Sequence, residues 1–354
     1  MFLSSSVFMS TWKELHDNPR LLEIYKQRTE IIKLVRQFFW SRDFLETDVP
    51  IAVRYPSQEP YLHFIPIAIH DPCGKEEKLY LTTSPEFSLK KLLATGLTKI
   101  FSITKCFRDF EEFGHTHNTE FTMIEWYRAP GTYFDFMDDT EQLFKFVGKN
   151  LKKETVEYAG KKIVITEPWE RMTMKKVWQK YVGVDLDGYL EIERLRNLVR
   201  ERGFNVGEAD LYEDLFFKIF LNEIEPHLGI ERPIFVYEYP TQLCSLSQKC
   251  AHDPRYAERA ELYIGGLELA NGFGELLDAV EQKQRLEEDR ELRKKLNRET
   301  WDLDKDFIAA LGSGIPAAGG IALGIDRMVV LFTGAHDINE VIFCSIADQF
   351  SEEK

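Results

Sequence analysis

What the chain lacks narrows it before any motif is read. No apolar run approaches the roughly 18 residues that a membrane-spanning helix needs, so no membrane role is expected. The opening MFLSSSVFMS carries no basic region ahead of its apolar residues, and a secretory leader is not expected. The cysteines are odd in number and scattered (Cys73, Cys106, Cys244, Cys250, Cys344), with no C-x-x-C pair. That excludes an evident disulfide framework or zinc site and points to a soluble, cytoplasmic protein with reduced thiols. Positive charge is also in deficit. The formal net charge of -14 has the wrong sign for a chain that grips nucleic acid through its phosphates. Neither a P-loop nor a G-x-G-x-x-G turn is present, and there is no internal repeat or low-complexity linker.

Aromatic residues are plentiful, which suits a sheet-rich interior. Residues 20–41 place Leu21, Ile24, Ile31, Leu34, Val35, Phe38 and Phe39 at helical spacing, and a long amphipathic helix is expected. A strand over 43–51 should follow it, ending at Pro50. Residues 63–70 read as a hairpin strand. Ser84-Pro85-Glu86 reads as a strand-to-helix turn in which Ser84 caps the helix. Further on, 135–150 should be helical, 156–165 a small hairpin around Ala159-Gly160, and 168–232 mostly helical. The charged run 281–300 reads as a helix with a solvated face.

The chain is organised around residues 98–128, two expected strands (99–108 and 120–128) joined by a polar loop. The second strand alternates. Phe121, Met123, Glu125 and Tyr127 share one face; Thr122, Ile124 and Trp126 share the other. An aromatic, a carboxylate and a phenol level with Arg108 make a poor solvent face and a good small-molecule floor. The loop holds Glu111, Glu112, His115, His117 and Asn118, more ionisable chemistry than a turn requires.

Two more stretches carry chemistry. In 258–279, Glu261 and Glu268 are seven apart, so a regular strand would point them to opposite faces. A bulge at Gly265-Gly266 would bring both to one face. Two carboxylates so placed repel unless a cation lies between them, which suggests Mg²⁺ bridging phosphates. Gly272 and Gly274 permit close backbone approach just before Glu275. In 317–334, a small-residue strand feeds Asp326-Arg327 and an apolar helix. A cation at that end of a helix is misplaced if structural and makes sense if it faces an anion such as phosphate.

Taken together, these segments resemble the catalytic domain of class II aminoacyl-tRNA synthetases. The first helix with DFLETDVPI (43–51) looks like motif 1, with Asp43 where glycine is common. The hairpin looks like motif 2 with Arg108 as its arginine, and Gly324 to Arg327 with the following helix looks like motif 3. TSPE (83–86), HNTEFTMIEWY (117–127) and GLELANGFGEL (266–276) resemble the lysyl branch. Because the first helix begins near residue 20, no anticodon-binding barrel is expected. The shape is similar to the truncated paralogues that attach β-lysine to translation elongation factor P. Ala322 stands where lysyl-tRNA synthetases carry glycine, as in those paralogues.

The resemblance implies an α+β fold, an antiparallel β-sheet flanked by helices without the N-terminal barrel. It implies a lead-in over 1–19, a single catalytic domain over 20–354 with a mostly helical insertion at 150–232, and a homodimer. It implies an AMP-forming ligase that uses ATP and Mg²⁺ to activate a lysine-type amino acid, (R)-β-lysine favoured, for transfer to elongation factor P; tRNA is not an expected acceptor. Arg108 and Arg327 would be catalytic, bridging the substrate carboxylate with the α-phosphate and holding the γ-phosphate respectively. Phe121, His117, Asn118, Glu268, Leu269 and Gly324 would complete the ATP site. The family pattern R-x-E-E is one residue longer here (Arg108-Asp109-Phe110-Glu111-Glu112), so both Glu111 and Glu112 are candidate ATP contacts; Thr119 replaces a usual proline. Glu261 and Glu268 would hold Mg²⁺. Ser84 and Glu86 would meet the reacting-end amine, Asn271 the carboxylate, and Glu125, Tyr127 and Glu275 the far ammonium, with Ala322 shaping the wall. The surplus of carboxylates is itself a signal for a cationic substrate. The other readings are a lysine-activating enzyme with a different acceptor and a non-catalytic, amino-acid-binding paralogue.

Overall fold

The computed structural model describes residues 11–350; the first ten residues of the expected lead-in lie outside the described residues. Residues 12–17, expected to be irregular, form a short helix whose Thr11 and Glu14 make a capping box. The long helix α1 spans Pro19–Trp40. Asn18 caps it, accepting hydrogen bonds from the Arg20 and Leu21 amides, and Pro19 sits in its first turn. The seven apolar residues singled out by spacing are all buried.

Eight strands form one sheet: β1 (Leu45–Glu46), β2 (Lys99–Phe107), β3 (Glu120–Arg128), β4 (Glu170–Thr173), β5 (Ile234–Pro240), β6 (Tyr256–Ile264), β7 (Leu267–Gly274) and β8 (Gly319–Gly324). Their order in space is β1-β2-β3-β8-β7-β6-β5-β4. The inner six are antiparallel, and each edge strand runs parallel to its neighbour. Helices α2 (Glu86–Leu93), α3 (Tyr133–Leu151), α4 (Ala279–Lys295) and α5 (Ile325–Thr333) complete the α+β frame.

α1, α3 and α5 bury one face of this sheet. Phe101, Ile124, Trp126, Ile321 and Leu323 point into that core, each at most 1 % exposed. The alternation of β3 therefore leaves Phe121, Met123, Glu125 and Tyr127 on the opposite face, where no helix lies flat upon them.

Three expectations are corrected. The strand over 43–51 is only Leu45–Glu46; beyond it the chain leaves the sheet to pair Ala52–Val53 with Glu76–Leu81. The stretch 168–232 is helical at Met174–Tyr181, Ile192–Glu201 and Tyr212–Ile219 but opens with β4, which extends the sheet. A four-residue strand is too short to announce itself by alternation. Finally, Gly265-Gly266 is not a bulge within one strand. Both residues take positive φ (71° and 83°) and make the two-residue turn of the β6–β7 hairpin. The register shift falls instead between Leu262 and Tyr263.

Candidate active site

The open face of the sheet floors a cavity of about 390 Å³. β3 contributes Phe121, Met123, Glu125 and Tyr127; β6 contributes Glu261, β7 Glu268, Leu269 and Asn271, and β8 Ala322 and Gly324. The register sets Ala322 between Glu125 on one side and Asn271 on the other. The cavity has a cationic end and an acidic end.

At the cationic end, around His117, stand Arg108 and Arg327; Arg259, ion-paired with Glu261, stands level with Tyr127 across the sheet. Arg327 is held from three directions. Its Nη1 donates to the Glu268 carbonyl at 2.7 Å, Nε to the Thr116 carbonyl at 3.2 Å, and Nη2 lies 3.0 Å from His117 Nε2. A guanidinium can only donate, so Nε2 accepts and the imidazole is neutral. Burial and the Arg327 charge both hold His117 below the ordinary histidine pKa. The residue before Arg327 anchors its helix: buried Asp326 accepts from Arg28 Nη1 at 2.5 Å and from the Thr122 amide at 2.6 Å. Arg108 lies over Phe121, 5.2 Å from the ring centroid. Glu111 and Asn118 reach the cavity lining; Glu112 is exposed and does not. Phe110, at φ 59°, makes the turn just before the two glutamates.

At the acidic end, Ser84 does two jobs. Its Oγ accepts from the Glu86 amide at 3.1 Å, as a cap would, and donates to Glu125 Oε2 at 2.7 Å. Tyr127 donates to Glu125 Oε1 at 2.5 Å. Burial first, then the nearby Glu86, pushes Glu125 up to about 7. Glu275 departs from expectation. It is buried beside Tyr127, its Oε1 against Gly320, whose missing side chain makes room for it. Its Oε2 pairs at 2.5 Å with Lys90, a fully buried ammonium that also binds Glu86 Oε1 at 2.6 Å. Burial pushes Glu275 up to about 8 while Lys90 opposes. Burial alone would lower Lys90, but Glu275 and Glu86 more than offset it and hold the ammonium above its ordinary value.

Between the ends lie Glu261 and Glu268, brought together across the hairpin rather than along a strand. Tyr239 and Tyr263 donate to one oxygen of Glu261 and Arg259 to the other. Burial, then the charge of Glu261, raises Glu268. Glu225, at the far end of the helical stretch 212–224, joins this group and is pushed up to about 7 by burial and both carboxylates.

The sequence of the family described as tRNA synthetases class II (D, K and N) matches residues 8–346. The chain belongs to that family. Among curated proteins, this synthetase-family chain is 37% identical over 94% of its length to an elongation factor P–(R)-beta-lysine ligase of Haemophilus influenzae (strain PittGG), covering 97% of that protein. It is 37% identical over 90% of its length to the enzyme of the same name from Pseudoalteromonas translucida (strain TAC 125), covering 93% of it. A lysine–tRNA ligase of Methanoculleus marisnigri is 35% identical over 95% of the chain, but only 65% of that longer protein is covered.

Reading the sequence missed Arg259, Glu225 and Asp326 of this synthetase fold's cavity and, supporting it from outside the lining, Arg28 and Lys90. Lys90 and Arg28 sit on helices whose neighbours are supplied only by folding. Phe217, Leu221 and Glu225 show that the helical insertion itself walls the cavity.

Proposed function

We propose that this protein is an ATP-dependent, AMP-forming ligase. It activates a lysine-type amino acid, (R)-β-lysine, as its adenylate and transfers it to a lysine side chain of elongation factor P. The observation that carries this reading is the two-ended cavity: Arg108 and Arg327 at one end, Glu86 and Glu125 with Tyr127 at the other, on one rigid sheet face. A dibasic amino acid with a carboxylate to activate has that charge pattern. The relatives' names support the choice of isomer and acceptor.

Arg108 offsets charge where the carboxylate meets the α-phosphate, and Arg327 takes the terminal phosphate. Such positioned donors supply most of the catalysis in a displacement that needs little proton transfer. Asn271 Oδ1 and Arg108 Nε, buried and without hydrogen-bond partners among the described residues, are left for substrate. Mg²⁺ fits the Glu261–Glu268 pair. Three donors on the roughly four lone-pair sites of the Glu261 carboxylate leave one site open, and Glu268 is raised by burial and by the charge of Glu261, a repulsion that a cation between them would relieve. The ion would neutralise phosphate charge there. Glu125 and Tyr127 hold the far ammonium, and Glu86 the near one. Lys90 gives up none of its own charge to the substrate but fixes Glu86 and Glu275 in place.

The test offers labelled (R)-β-lysine and α-lysine with ATP, and purified elongation factor P and total tRNA as competing acceptors. Label on the protein with the β-isomer preferred is expected; label on tRNA alone would sink the acceptor assignment. Ala322→Gly should move preference toward α-lysine. One methyl in a pocket is worth about 1–3 kcal/mol, so the change is graded. An unaltered isomer ratio would remove Ala322 from the specificity wall.

A further inference from the structure

A second cavity, of about 550 Å³, opens beside the first. Glu59, Ser84 and Glu86 line both, so the two spaces meet at these side chains. Its outer part runs between residues 50–57 and the start of helix Lys305–Leu311, where Asp302, Asp304 and Asp306 stand with Arg54 and Lys305. Lys91 on that wall is already engaged, 2.6 Å from Asp304 and 3.2 Å from Asp306. None of the nucleotide or amino-acid contacts assigned above uses this outer space.

Glu59 sits at the junction and is fixed there. Ser57 Oγ donates to its Oε2 at 2.8 Å, and its backbone carbonyl accepts from Arg293 Nη1 at 2.6 Å. The charged groups that face it are Arg108 from the cationic end, Arg259 from β6, Glu86 from α2, Glu213 from the helical insertion, and Asp289 and Arg293 from α4. Burial raises its carboxyl, Arg108 and Ser57 oppose, and Glu86 adds to the rise. A carboxylate moved toward neutral pH is a better proton acceptor than an ordinary one.

We propose that the second cavity is the channel by which the acceptor's primary amine reaches the adenylate, and that Glu59 takes the proton from its ammonium. This rests on the ligase reading above. An ammonium has no lone pair with which to attack. One proton passes to the Glu59 carboxylate, and the freed nitrogen attacks the acyl carbon. The C–N bond forms, and the bond from that carbon to the AMP oxygen breaks with its electron pair staying on the phosphate. The second amine proton is released to water as the amide forms.

The experiment separates the two half-reactions in Glu59→Gln. ATP–pyrophosphate exchange reads adenylate formation, transfer to elongation factor P reads the proposed step, and transfer to hydroxylamine reads attack by a nucleophile already unprotonated at neutral pH. A positioned base typically contributes about 100- to 10,000-fold. Transfer to the protein should therefore fall at least about 100-fold further than exchange and recover as pH rises from 7 to 9. Hydroxamate formation should fall no further than exchange. Protein transfer that merely tracks exchange would overturn the role of Glu59. Absence of exchange with any lysine isomer in the wild-type enzyme would instead overturn the ligase reading. Ser88→Trp, on the wall of the second cavity, tests the channel without touching the base: transfer to the protein should drop while hydroxamate formation continues. Equal effects on both acceptors would dismiss the channel.

Discussion

At the scale of single residues, the cavity works by placing charge where water cannot screen it. Arg108 has a buried Nε without a partner among the described residues and lies over Phe121, so its guanidinium is held ready for a phosphate or carboxylate. Arg108→Ala should lower ATP–pyrophosphate exchange by about 100- to 1000-fold, the usual cost of one transition-state donor, with the unfolding midpoint little changed. Exchange near the wild-type rate would defeat the assignment. Lys90 is the opposite kind of charge, internal and permanently paired. Lys90→Met strands two carboxylates, and breaking a buried pair costs about 3–5 kcal/mol. The loss should be larger at pH 8 than at pH 5, where Glu275, raised to about 8, takes up a proton. Urea unfolding at the two pH values checks both size and sign; an equal loss at each would show that packing, not charge, is the larger part of Lys90's contribution.

At the scale of elements, β3, β8 and α5 form one unit around the site. Asp326 ties the first turn of α5 to the β3 backbone through the Thr122 amide and to α1 through Arg28. That link spans nearly the whole chain and fixes the position from which Arg327 reaches the cavity. Strand β8 carries no bulky side chain at Gly320 for a steric reason. A methyl there would meet the Tyr127 ring at 2.2 Å and Glu275 Oε1 at 2.6 Å. Gly320→Ala should cost about 1–3 kcal/mol through overpacking. It should also raise the KM for the amino acid more than that for ATP, because Tyr127 is the group displaced. Thermal melts and paired KM measurements would show it. A KM change confined to ATP would mean that the strand shift is transmitted to α5 instead.

At the scale of the whole molecule, the chain concentrates buried carboxylates. Glu125, Glu213 and Glu225 are each pushed up to about 7 and Glu275 to about 8, with burial the first cause in every case. The sign follows from proton counting. Each of these groups keeps a proton in the folded chain at pH values where the unfolded chain has released it. Stability is therefore lost progressively as pH rises from about 4.5, where the unfolded chain releases these protons, to about 8. His63 and His117, held below their ordinary value, act the other way, but only below about pH 6.5. The melting temperature without ligand should fall between pH 6.5 and 8.5. A dibasic amino acid brings two ammoniums to the acidic end, so its stabilising shift should be larger at pH 8 than at pH 6. Scanning fluorimetry across that range, with and without (R)-β-lysine, checks both; a rising melting temperature without ligand would contradict the burial of these groups as acids.

The amino-acid order by itself determined the parts that repeat locally. Helix α1 was legible in its apolar spacing. The face of β3 was legible in strict alternation, and the role of Ser84 as a cap in Ser-Pro-Glu. Period and turn chemistry act over a few residues, so a short window is enough to read them. Arg327 was also legible, because a cation at a helix start contradicts the helix dipole and so asks for an anion. Tertiary structure alone decided the rest. Whether Glu261 and Glu268 share a face depended on a hairpin rather than a bulge, and both devices use the same two glycines. Whether Glu275 faces substrate or an internal ammonium depended on Lys90, 185 positions away in the chain. Glu59 became notable only when folding set it between two cavities. Such residues carry no periodic signal, because what gives each its chemistry is a neighbour brought from far along the chain, and the burial that shifts a carboxylate exists only once the sheet has closed over it.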